Sequence, residues 1–129
     1  MGGAPLLIVD DNPANLRLAR LLLVGEGYEV RTAGDAVEAL AVLETFRPRL
    51  ILMDLQMPGL DGFDLTRRLK ADAATRDIVI LALTAYAMRG DEEKARAAGC
   101  DAYVAKPIDT RRLPALIARL LSGAGSASP

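Results

Sequence analysis

Acidic side chains stand where apolar runs end. Leu6-Leu7-Ile8-Val9 leads into the adjacent Asp10 and Asp11, and Leu50-Ile51-Leu52-Met53 leads into Asp54. The run Ile78–Leu83 meets Thr84, and Ala102–Ala105 meets Lys106 and Pro107. If the first and third runs are neighbours in the fold, Asp10, Asp11 and Asp54 converge. At ~5 Å and an effective dielectric of ~20, each carboxylate pair repels by on the order of 3 kcal/mol. Such a cluster takes up a proton or gathers a cation. Carboxylate oxygens suit a hard divalent ion. Mg²⁺ commonly takes one or two carboxylates, several waters and a phosphate oxygen. Lys106 adds a positive point charge and Thr84 a hydroxyl donor. Together these groups can stabilise the equatorial oxygens of a phosphoryl group in transfer. The chain has no histidine, which removes the commonest general base. A carboxylate is then the natural nucleophile, because it needs no deprotonation at neutral pH. Neither GxxxxGK[ST] nor GxGxxG occurs, so no nucleotide is cradled.

The elements that must position these groups alternate along the chain. Strand candidates are Leu6–Val9, Tyr28–Thr32, Leu50–Met53, Ile78–Leu83 and Ala102–Ala105. All but the second are nearly continuous apolar runs, as expected of strands covered on both faces. Tyr28-Glu29-Val30-Arg31-Thr32 alternates, which places it at a sheet edge with one face in water. Asn12 is an N-cap candidate with Pro13 at the first helical position. That helix runs to about Val24, where Gly25 and Gly27 end it. Asp35 and Glu38 resemble a capping box ahead of Ala36, Ala39, Leu40 and Leu43. Asp61 is expected to cap Gly62–Lys70, with Leu65 and Leu69 on one face and Arg67, Arg68 and Lys70 on a solvated one. Asp91 and Glu92 suit the positive end of a helix through Ala98, with Gly99 as its left-handed cap. The last helix begins near Asp109 and ends near Ser122. Pro114 argues for a start later than Asp109, since a proline is harmless only in the first turn.

Repeated β-α units imply a doubly wound α/β fold: a parallel sheet with right-handed crossovers and helices on both faces. Ligands then bind at the carboxyl ends of the strands, where the polar residues fall. At 129 residues the chain is expected to form one domain, residues 1–122, with residues 123–129 as a flexible tail. A net charge of −1 excludes a general basic field for nucleic acid. The single cysteine, Cys100, rules out an intramolecular disulfide and fits a reducing compartment. The longest apolar run, Ile78 to Met88, falls short of the ~20 residues needed to span a bilayer. MGGAP lacks a basic segment followed by an apolar one, so no signal peptide is visible. The expected location is the cytoplasm.

Four motifs carry a family resemblance: VDDN (Val9–Asn12), LMDLQMPGLDG (Leu52–Gly62), LTAYA (Leu83–Ala87) and DAYVAKPI (Asp101–Ile108). In this order, each at a strand end, they make the chain similar to the receiver domain of bacterial response regulators, the CheY-like family. The resemblance spans about Pro5 to Leu121. Ala87–Asp109 looks most like the receivers of hybrid histidine kinases and of single-domain cell-cycle regulators of the DivK type. The resemblance implies a flavodoxin-like sheet of five strands in the order 2-1-3-4-5 with five helices. It makes Asp54 the phospho-acceptor, attacking a phosphohistidine on a sensor histidine kinase or histidine phosphotransfer protein. Asp11 and Asp54 would hold Mg²⁺ directly, with the backbone carbonyl of Gln56, and Asp10 through a water. Lys106 would pair with the phosphoryl group and Thr84 hydrogen-bond to it. Tyr103 would turn inward as a switch aromatic, and Lys106–Pro107 would be a cis peptide. Gln56 and Tyr86 are placed to tune phosphoryl lifetime. The implied output is binding of a protein target at the face of the fourth helix, fifth strand and fifth helix, with no direct DNA binding, no membrane and no enzymatic turnover beyond the chain's own phosphorylation and dephosphorylation.

Taken singly, these residues have ordinary roles. Asp10 and Asp11 suit a turn and cap, Asp54 a strand end, Lys106 the surface, Thr84 a β-branched strand end, Tyr103 a core edge. Cys100 reads as a small buried residue near a helix cap, and Asp61 as a cap. Their joint placement favours a site. Two other functions compete with the phosphorylation switch. One is an interaction module that works without phosphorylation, against which the intact site argues. The other is a Mg²⁺-dependent phosphohydrolase of haloacid-dehalogenase type. That chemistry expects Asp-x-Asp after the first strand and a cap domain; here the acids are adjacent, and 129 residues leave no room for a cap.

Overall fold

A computed structural model describes residues 3–55, 62–84, 91–105 and 109–122, with Asp91 and Glu92 described in backbone only. Strands and helices alternate: β1 (Pro5–Val9), α1 (Pro13–Gly25), β2 (Glu29–Ala33), α2 (Ala36–Leu43), β3 (Leu50–Asp54), α3 (Gly62–Ala71), β4 (Val79–Thr84), α4 (Asp91–Ala98), β5 (Ala102–Ala105) and α5 (Leu113–Leu121). The strands form one parallel sheet in the order β2-β1-β3-β4-β5. The expected architecture and strand order are both found.

The strand pleat explains the continuous apolar runs. Successive side chains point to opposite faces, and here both faces are covered. Leu7, Val9, Ile51, Met53, Ile80 and Ala82 face one way and pack with Ala36, Ala39 and Leu43 of α2, Leu65 and Leu69 of α3, and Ala95 of α4. Leu6, Ile8, Leu50, Leu52, Leu81 and Leu83 face the other way and pack with Ala19 and Leu23 of α1 and Leu113, Ile117 and Leu120 of α5. Two helices therefore cover one face and three the other. β2 alternates in burial, as an edge strand should. β5 departs from expectation: Ala102, Tyr103 and Val104 are half-buried and Ala105 is exposed. It forms the opposite edge, so among the described residues one flank has no neighbouring strand.

Local signals set most helix ends. Asn12 caps α1, its side chain accepting from the N–H groups of Ala14 (2.9 Å) and Asn15 (3.3 Å). Gly25 lies within α1, and Gly27 ends it at φ +95°. Tyr28 N–H donates to Leu23 O and Gly27 N–H to Val24 O. Gly99, at φ +109°, closes α4 in the same way, with Cys100 N–H donating to Ala95 O. Asp35 caps α2 by accepting from Glu38 N–H at 2.8 Å. The Glu38 carboxylate accepts from Gly34 N–H, one residue earlier than a capping box requires. The last helix begins at Leu113, leaving Pro114 in its first turn. Asp109 caps the preceding turn instead, its side chain accepting from Arg111 N–H (3.0 Å) and Arg112 N–H (3.3 Å).

Candidate functional site

Sheet order creates the site. β1 and β3 are adjacent, with Val9 opposite Met53. The next residue on each strand is an aspartate, so Asp10 and Asp54 emerge side by side at the carboxyl edge. One oxygen each from Asp10, Asp11 and Asp54 lie within 4.8 Å of one another. Asp10 and Asp54 are each 1% exposed, whereas Asp11 is exposed. The two adjacent acids therefore differ in burial. Asp10 Oδ1 accepts from Asn12 N–H at 2.9 Å, closing the turn from β1 into α1. Its Oδ2 is a buried atom, as is Oδ2 of Asp54. The cap at Asn12 and the turn at Asp10 share one backbone segment, so the start of α1 and the acid cluster are held together.

Thr84 is completely buried at the end of β4, two strands from β1 and beside β3. Leu55 N–H donates to Leu83 O at 2.9 Å, extending the β3–β4 ladder past Asp54. The ends of β3 and β4 are thereby locked in register at the acid cluster. Tyr103 lies on β5 opposite Ala82, half-buried against the face covered by α2, α3 and α4. The structure thus brings Asp10, Asp11 and Asp54 together, places Thr84 on the neighbouring strand end, and sets Tyr103 on the edge strand. Lys106, Pro107, Gln56, Tyr86 and Asp61 lie outside the described residues.

The donor set fits a hard divalent cation. Three carboxylate oxygens at this spacing repel, and two of the three residues are withdrawn from water. A cation relieves that repulsion, and all-oxygen donors with an open exposed side at Asp11 suit an ion that keeps several waters.

One residue differs from the sequence reading. Lys70 does not belong to a solvated face. Its ammonium donates to Arg76 O (3.0 Å), Ile78 O (2.8 Å) and Asp101 Oδ2 (2.9 Å). Asp101 Oδ2 also accepts from Ile80 N–H at 2.8 Å. This ties the end of α3 to the starts of β4 and β5, at the sheet edge opposite the acids. Gly62 closes the motif Leu52–Gly62, and it lies against the backbone of Asp54 and Leu55. Cys100 is buried as expected, and its thiol sits 3.8 Å from Thr66 Oγ1.

Comparison with known proteins agrees with this geometry. The family described as the response regulator receiver domain matches residues 6–118. The polar-differentiation response regulator DivK of Brucella anthropi is 45% identical over 107 residues, covering 83% of this chain and 87% of DivK. A CheY-like receiver domain protein from Methanospirillum hungatei superposes with a TM-score of 0.87 at 31% identity, covering 98% of this chain and 99% of that one. The receiver domain of the sensor histidine kinase PA1611 from Pseudomonas aeruginosa, solved with a magnesium ion coordinated in its active-site cleft, gives 0.85 at 37% identity, covering 93% and 98%. On fold, sequence and the arrangement of its acids, the chain belongs to the response regulator receiver domain family.

Proposed function

We propose that this receiver domain is a phosphorylation-controlled switch whose phospho-acceptor is Asp54. One observation carries the reading: oxygens of Asp10, Asp11 and Asp54 lie within 4.8 Å of one another at the sheet edge where ligands bind in this fold. An Asp54 carboxylate oxygen attacks the phosphorus of a phosphohistidine on a sensor kinase or histidine phosphotransfer protein. The P–N bond breaks, and the imidazole nitrogen keeps the electron pair and takes a proton. Water later attacks the phosphorus, restoring the carboxylate and releasing phosphate.

Asp11, Asp54 and the carbonyl of Gln56 would hold Mg²⁺, with Asp10 acting through a water. When bound, the ion neutralises charge on the phosphoryl oxygens. Lys106 pairs with the phosphoryl group, and Thr84 donates its hydroxyl to it. Tyr103 reports the state of Thr84 to the surface of α4, β5 and α5. A recess of about 370 Å³ lined by Ala95, Arg96, Cys100, Asp101, Ala102 and Tyr103 supports that surface as the place where a protein target binds. No helix of the described residues is long and apolar enough to cross a membrane. The working location is the cytoplasm, and the output is protein binding without direct DNA contact.

Acetyl phosphate with Mg²⁺ tests the reading. Wild-type chain becomes labelled on one aspartate, and Asp54→Asn does not. Equal labelling of the two sinks the assignment.

A further inference from the structure

The start of α3 makes an unusually close approach to the end of β3. A Cβ built on Gly62 would lie 2.7 Å from Leu55 Cα and 3.1 Å from Asp54 C, and nearer still to the Asp54 carbonyl oxygen. All three are backbone atoms, so no side-chain rotation relieves the clash. Gly62 N–H donates to Leu55 O at 3.3 Å, drawing the helix start onto the strand end although residues 56–61 lie between them. The residue is not a glycine for conformational reasons. Positive φ among the described glycines occurs at Gly3, Gly27 and Gly99, not at Gly62. Space alone explains it.

The backbone under Gly62 is the one that aims Asp54. Asp54 and Leu55 are otherwise held by β4 through the ladder and the Leu55–Leu83 bond. We infer that Gly62 is a positioning residue for the acid cluster: by having no side chain it lets α3 press on the Asp54–Leu55 peptide and fix the Asp54 carboxylate relative to Asp10 and Asp11. Any side chain at this place pushes the peptide and α3 apart. The inference rests on the reading of the three acids as a Mg²⁺ site. Supporting groups behind a metal ligand commonly carry about 10–100-fold in metal affinity.

Gly25 provides the matched control, because a Cβ there meets nothing within 4 Å. The experiment measures Mg²⁺ affinity by calorimetry, and folding by circular dichroism, for wild type, Gly25→Ala, Gly62→Ala and Asp54→Asn. Gly25→Ala is expected to bind as wild type does, while Gly62→Ala keeps its helical signal and binds about 10-fold or more weakly. Gly62→Ala binding Mg²⁺ as wild type does overturns the role of Gly62. Wild type failing to bind Mg²⁺ overturns the site reading instead. If Gly62→Ala does not fold, amide exchange in the wild-type chain decides. Slower exchange of Gly62 N–H on adding Mg²⁺ supports the coupling, and unchanged exchange overturns it.

Discussion

The ammonium of Lys70 lies 2.9 Å from Asp101 Oδ2, and that oxygen also accepts from Ile80 N–H at 2.8 Å. One carboxylate oxygen thus serves a charged side chain and a strand backbone. The side chains are 20% and 29% exposed, so solvent screens the ion pair and its charge contributes little by itself. The backbone bond matters more, because losing its acceptor leaves a part-buried N–H without one. Asp101→Ala is expected to lower stability by about 1–3 kcal/mol. Asp101→Asn keeps an oxygen for Ile80 N–H and loses less. Urea denaturation of both variants checks this. Equal losses would mean the charge, not the backbone bond, dominates.

Crowded acids should make the metal-free chain less stable than it could be. Asp54→Asn removes the charge common to two of the repelling pairs, so in a chelator it should unfold at higher urea than wild type. Adding Mg²⁺ stabilises wild type by about 2.7 kcal/mol at a hundred times its Kd, and the variant much less. The gap therefore narrows or reverses. Wild type being the more stable chain in chelator contradicts the electrostatic account.

Asp10 and Asp11 should separate cleanly in two assays. Asp10 is buried and holds the turn through Asn12 N–H, so Asp10→Ala gives up a bond of about 1 kcal/mol as well as a charge. Asp11 is exposed, so in a chelator Asp11→Ala should relieve repulsion without loosening that turn and be the more stable of the two variants. Mg²⁺ titration should rank them the other way, with Asp11→Ala weakening binding more. The opposite order in the titration would reverse the assignment of direct and water-mediated ligands.

Burial pushes the Cys100 thiol above its ordinary 9.0, with the nearby Asp101 charge adding to this, while Thr66 and Lys70 pull it down. Below about pH 7.5 the thiol is essentially neutral in folded and unfolded chains alike, so it adds no pH dependence. Above that, the unfolded chain gives up its proton first and binds fewer protons than the folded one. Stability then falls as pH rises towards the folded value. Urea midpoints between pH 8 and 10.5 should decline more for wild type than for Cys100→Ala. Parallel declines would remove Cys100 from the account.

Local signals were legible because they rest on local physics. Asn12-Pro13, Asp35 and Gly99 set helix ends through bonds to residues a few positions away, and each performs as its type suggests. The same holds for the apolar runs, whose lack of alternation marks strands covered on both faces. Periodicity on α3 places Lys70 beside Arg67 and Arg68, while its partners Ile78 and Asp101 lie just before β4 and β5.

By itself the sequence determined the α/β class, the strand edge at which polar groups collect, and the residues of the acid cluster, since repeating patterns and strand-end chemistry are written in consecutive positions. Tertiary structure alone decided that Asp10 is buried and Asp11 exposed, the partners of Lys70 and how closely the backbone of Gly62 meets Asp54 and Leu55. Each depends on a contact between segments distant in the chain or on burial by the assembled core. No spacing along the chain encodes how closely α3 rests on β3.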